Sequence, residues 1–114
     1  MFLTLNDAKT YLRVDSKVDD HLILSLIPAS EKEVMDVARL SANEWQKICE
    51  EYNEEVTIRG KQISADEVNS MRELLRVGVY FALGYLYEHR EDGNHLELTL
   101  TLRALLSSIR EGVM

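Results

Sequence analysis

From Leu74 to Tyr87 the only charged residue is Arg76, and the apolar positions Leu74, Leu75, Val77, Val79, Phe81, Ala82, Leu83, Tyr85 and Leu86 fall on every side of a helix. A helix coated this evenly cannot face water all round; it must be surrounded by its own chain or by neighbouring copies. Gly78 and Gly84 lie within it, and each costs about 1 kcal/mol relative to alanine in a helix interior, so their presence predicts close approach of another backbone. The apolar run falls short of the ~20 residues that a membrane span needs.

The remaining pattern is also largely helical. Thr4 with Asp7 approximates a capping box, after which Leu5, Ala8, Tyr11 and Leu12 recur at helical spacing until Arg13 and Val14. Asp15, Ser16 and Lys17 read as a polar turn. Asp19 or Asp20 then caps a second helix whose inward face is Leu22, Ile23, Leu26, Ile27, Val34 and Val37. Pro28 falls inside it and predicts a kink near Leu24 to Pro28, or a break and restart, and the resumption of the apolar phase at Val34 favours the kink. Ser41 with Glu44 is a fuller capping box, opening a helix to about Tyr52.

The segment VTIRGKQIS, a β-branched alternation around Gly60, predicts a short β-hairpin or an extended arm near residues 55–63. Ser64 with Glu67 starts the long helix, expected from Ala65 to about Arg90, and Glu91, Asp92, Gly93 and Asn94 end it. In the last segment Leu96, Leu98, Leu100 and Leu102 alternate like a strand, whereas Leu102, Leu105, Leu106 and Ile109 repeat like a helix; a helix from about Thr99 or Thr101 to Arg110 is expected. The fold class is mainly α, a small helical bundle around one long central helix. The candidate core and assembly positions on that helix are Leu75, Gly78, Phe81, Ala82, Gly84, Tyr85 and Leu86.

Composition narrows the picture. With 114 residues the chain, residues 1–114, reads as one domain with a modest core, which oligomerisation would supplement. Thirteen basic against 20 acidic side chains leave a net charge of −7, which argues against wrapping nucleic acid by phosphate neutralisation. The single cysteine, Cys49, excludes an intrachain disulfide and a four-thiolate zinc site, and suits a reducing compartment. The N-terminus has no basic region followed by a long apolar run, so neither a signal peptide nor an anchor is expected.

Candidate chemistry is sparse. His89 and His95 flank Glu91 and Asp92, but the spacing matches no established metal site, and a solvated helix end explains it. His21 beside Asp19 and Asp20 sits at a helix start, where carboxylates serve the dipole. Cys49 has no nearby histidine in sequence and reads as a small buried hydrophobe. No glycine-rich phosphate loop, nucleophile elbow or Walker lysine is present, so no catalytic, cofactor-binding or metal residues are expected. Glu50, Glu51, Glu54 and Glu55 lack a calcium loop's spacing. They read as a solvated acidic face or, repeated around a ring, as the lining of a negative channel that keeps a DNA backbone from sticking.

The order of these segments resembles a known family. Leu3 to Leu5, Leu12 to Asp15, and the acidic pair Asp19 and Asp20 resemble the opening of the small head-to-tail connector proteins of tailed bacteriophages, often described as DNA packaging proteins. Tyr85 to Glu91 is similar to that family's buried helix end, and Leu105, Leu106 and Arg110 to its C-terminal leucine pair and arginine. The likeness spans nearly the whole chain apart from residues 41 to 64; Pro28 departs from it as well. It implies a non-enzymatic structural protein of a phage or prophage, assembling with itself as a ring beneath the portal and extending the DNA channel during head completion. Its implied partners are the portal protein and a downstream head-completion or tail protein, with DNA only passing through and no membrane involved. The implied location is the host bacterial cytoplasm during assembly and then the virion. From the residues alone, a small helical regulatory or protein–protein interaction module is the alternative.

Overall fold

Among the described residues of the computed structural model, helices and a hairpin follow in the order α1 (Leu5–Leu12), α2 (Asp20–Val37), α3 (Ala42–Cys49), β1 (Val56–Ile58), β2 (Lys61–Ile63), α4 (Ala65–Glu88) and α5 (Leu96–Leu105). The structure describes residues 3–49, 55–58, 60–89, 96–107 and 109. The expected class, a mainly helical bundle around one long helix with a short hairpin, is what the chain forms.

Three of the capping signals, at Thr4, Ser41 and Ser64, act as the sequence predicts. Thr4 Oγ1 accepts from the Asp7 N–H at 3.1 Å while the Asp7 carboxylate accepts from the Thr4 N–H at 3.2 Å. Ser41 and Glu44 do the same at 3.1 and 2.8 Å, and Ser64 Oγ accepts from the Glu67 N–H at 3.2 Å. Each such cap satisfies donors that a helix start leaves orphaned.

The helix ends were less visible. Arg13 closes α1 and Arg39 follows α2, both in the left-handed region at φ 59. Around Arg13 the Val14 N–H donates to Lys9 C=O and the Arg13 N–H to Thr10 C=O; around Arg39 the Leu40 N–H donates to Met35 C=O and the Arg39 N–H to Asp36 C=O. These are paired Schellman bonds, made by arginine where glycine is the usual residue.

Helix α2 runs unbroken through Pro28. Proline removes the donor to the Leu24 carbonyl, and both Leu24 and Pro28 lie on the exposed face, where that carbonyl is open to solvent instead of orphaned in the core. In the hairpin, Val56 pairs with Ile63, Thr57 with Gln62 and Ile58 with Lys61. The two-residue connection includes Gly60 at φ +76, a conformation glycine adopts without a Cβ clash. Ile58 and Ile63 are buried, and the Lys47 ammonium donates to the Thr57 carbonyl at 3.3 Å, tying α3 to the hairpin.

Helices α2 and α4 form the central pair, α1 and α5 pack on both, and α3 packs on α4. The core runs through Ile23, Ile27 and Val34 of α2, Val68, Leu75, Val79, Ala82 and Leu83 of α4, and Leu98 and Leu102 of α5. Helix α5 begins at Leu96, earlier than expected, and helical phase decides which leucines of the ambiguous segment go in. Leu98 and Leu102, four apart, are buried; Leu96 and Leu100 are left outside. Among the described residues no helix is long and apolar enough to cross a membrane.

Candidate assembly surface

Helix α4 divides the seven positions singled out on it. Leu75, Gly78 and Ala82 are buried against the bundle; Gly84, Tyr85 and Leu86 are half-buried; Phe81 is 38% exposed on the outer face, with Val77 beside it at 54%. The two glycines do not admit another backbone, as their presence suggested. A Cβ at Gly78 would meet Val34 and Leu102 side chains at 3.5 to 3.7 Å, and one at Gly84 would meet the Tyr11 ring at 3.3 Å. What approaches the helix is therefore side-chain packing from α2, α5 and α1.

The outer face lies between α1 and α5. On the α1 side, the Tyr11 ring sits 4.7 Å from Tyr80 at an interplanar angle of 40° and covers Gly84. On the α5 side, Phe81, Tyr85, Glu97, Leu100 and Thr101 line a groove of about 440 Å³. Leu100 is 52% exposed there. Among the described residues, nothing covers an apolar strip of the long helix at Val77 and Phe81.

Polar ties fix this frame. The Tyr87 hydroxyl donates to Asp19 Oδ2 at 2.6 Å, and the Lys9 ammonium lies 2.8 Å from Asp20 Oδ1. The acidic pair expected to cap α2 is thus engaged elsewhere: Asp19 occupies the cap position but makes no side-chain cap bond. Across the bundle the Thr99 hydroxyl donates to Glu33 Oε1 at 3.0 Å, holding α5 to α2. Two opposite charges, Glu31 of α2 and Arg72 of α4, are each only 8% exposed.

Little here is arranged for chemistry. Burial pushes the Cys49 thiol above its ordinary range, so at neutral pH it is the protonated, poorly nucleophilic form. The His89 imidazole stacks on Tyr85, ring centroids 4.1 Å apart, and its Nδ1 lies 2.9 Å from the Tyr85 carbonyl. His95, Glu91 and Asp92 lie outside the described residues, and among those described no three His, Cys, Asp or Glu side chains gather as a metal site. Of the acidic candidates, Glu55 is exposed, while Glu50, Glu51 and Glu54 lie outside the described residues.

Sequence reasoning missed Tyr11 as the cover of Gly84, the Asp19–Tyr87 bond and the exposure of Leu96 and Leu100. A Tyr11 at helical spacing and a Leu96–Leu102 alternation that a helix cannot bury on one face were the available signals. Compared with known proteins, the chain matches no family model, no curated protein and no solved structure.

Proposed function

We propose that this protein is a structural head-to-tail connector of a tailed phage or prophage, forming a ring of identical copies beneath the portal and extending the DNA channel during packaging and head completion. The observation that carries the reading is the exposed apolar strip of α4, Val77 and Phe81, with Leu100 across the groove from Phe81, on a helix otherwise packed on its own bundle. An apolar strip of this kind gains most from burial against another protein. The net charge of −7 suits a conduit that does not hold DNA. The Asp19–Tyr87 bond adds support of another sort, because it joins two of the segments on which the connector resemblance rests.

In this reading the protein is not an enzyme and takes no cofactor. Its partners are further copies of itself, the portal protein and the next head-completion or tail protein, and it passes from the host cytoplasm into the virion. The test is native mass spectrometry or light scattering at high concentration, together with incubation on portal-containing heads. Ring-sized species, or saturable attachment to heads, are the expected result; a monomer under every condition, with no attachment, sinks the reading.

The same strip supports a second reading, a helical module that docks on an unrelated regulator. The neighbouring genes separate the two: a position between capsid and tail genes favours the connector, and one beside a regulator favours the module.

A further inference from the structure

The turn between α1 and α2 is at odds with its own sequence. From Leu5 to Ile27 the chain holds neither glycine nor proline, so no residue there is a helix breaker. Continued at about 100° per residue, Tyr11, Val14, Val18 and Leu22 fall within about 80° of one another, an apolar stripe that runs straight through the turn. The folded chain interrupts that stripe and leaves Val18 86% exposed, more than any other large apolar side chain among the described residues.

The interruption is made at Arg13, held at φ 59 in the left-handed region. That conformation is unfavourable for any residue with a Cβ, whereas glycine adopts it freely. A right-handed helix, by contrast, accepts arginine readily. The turn is therefore strained when closed and would lose that strain if it became helical.

What keeps it closed is the seat of α1 on the rest of the bundle. Ala8 is fully buried, the Tyr11 ring lies 4.7 Å from Tyr80 and covers Gly84, and the Lys9 ammonium lies 2.8 Å from the Asp20 carboxylate. Each of these joins α1 to α2 or α4, and the α1 of another copy can make the same contacts. With the turn helical, Lys9 and Asp20 of one chain would stand about 16 Å apart along a single axis. Helix α1 could then reach a neighbour's seat but not its own.

We propose that α1 exchanges between copies: residues 13–18 straighten, α1 and α2 become one helix, and α1 settles on α2 and α4 of a second copy in the place it now holds on its own. The fit of this segment to this seat is already made within one chain, and short strained hinges invite such an exchange. Arg13 leaves the left-handed region, Val18 joins the Tyr11–Val14–Leu22 stripe, and the contacts of α1 are re-formed on the neighbour. The inference requires a second copy but not a phage, so it does not rest on the connector reading.

Lys9 and Asp20 supply the test. Light- and heavy-isotope copies of the full chain are mixed at high concentration, warmed to just below the melting temperature, cooled and treated with a carbodiimide, which joins a lysine to a carboxylate it touches. Lys9–Asp20 peptides with one light and one heavy half are expected from the self-associated fraction, and same-label pairs alone from the monomer. Lys32 and Asp36, 2.7 Å apart within α2, should stay same-label throughout. Arg13→Gly relieves the closed turn and burdens the fused helix, so it should lower the exchanged fraction at least about tenfold, with the melting temperature unchanged or raised. Asp15→Ala combined with Ser16→Ala favours helix in the turn and should raise that fraction.

Self-association with only same-label Lys9–Asp20 pairs would overturn the exchange and leave the ring reading standing. A chain that stays monomeric after warming, or an Arg13→Gly protein that exchanges as fully as the parent, would overturn it as well. Mixed-label pairs in a plain dimer that attaches to no portal-containing head would uphold the exchange and count against the connector.

Discussion

At the residue scale, two glycines of one helix behave differently because different neighbours face them. A methyl at Gly78 would make ordinary contact with Val34 and Leu102, so Gly78→Ala gains helix propensity without displacing anything. It should raise unfolding free energy by about 0.5–1 kcal/mol, read from urea denaturation. Gly84 has the Tyr11 ring at 3.3 Å, and a leucine there must push that ring off the helix. Gly84→Leu should cost about 1–3 kcal/mol in the same assay and loosen α1. Cys49 carries the pH dependence that can be assigned. Its thiol is held above its ordinary value by burial, so folding favours the protonated form; that stabilisation is complete below 9.0, the ordinary value, and is lost as pH rises through the folded-state value. Stability should therefore decline less steeply on the alkaline side in Cys49→Ala than in the parent, and parallel declines would refute this account.

Elements were legible where local chemistry sets them and obscure where tertiary contacts do. Thr4, Ser41 and Ser64 announce helix starts because a short hydroxyl side chain and a residue three positions on are all that a cap requires. The ends at Arg13 and Arg39 carry no such mark, since an arginine takes the left-handed conformation only when the surrounding bonds over-determine it. The leucine alternation from Leu96 to Leu102 is resolved by the face that α2 and α4 offer to Leu98 and Leu102. Pro28 gives the clearest prediction at this scale. Restoring the N–H in Pro28→Ala should return about 3 kcal/mol of helix preference, offset by about 1 kcal/mol from the freer unfolded chain. A net gain of roughly 2 kcal/mol in unfolding free energy is expected.

For the whole molecule, the decisive property is a core complete on one side of α4 and only partly closed, by Tyr11, on the other. The candidate surface was half legible: an over-apolar helix signalled that something must cover it, but not which residues the chain itself would cover. Phe81 and Ala82 are neighbours in sequence, yet one lies outside and the other is sealed, a distinction made by where α2 and α5 settle. The buried charges of the central pair bear on the integrity of the bundle. Both charges act on the Cys49 thiol from nearly buried positions, and mutual compensation is the expectation: Arg72→Met alone should destabilise the bundle by about 3 kcal/mol, and adding Glu31→Met should recover part of that loss. Additive losses in that cycle would mean that the two charges are stabilised separately.

The bond between Tyr87 and Asp19 spans 68 positions of chain. Closing so long a loop requires α2 and α4 to have already found each other, which places the bond late on the folding route. Tyr87→Phe should accordingly leave the refolding rate nearly unchanged and speed unfolding, a φ-value near zero. The turn between α1 and α2 would then be among the last parts of the molecule to settle, and the Tyr87 bond to α4 and the Lys9–Asp20 pair to α1 together set how long it stays docked.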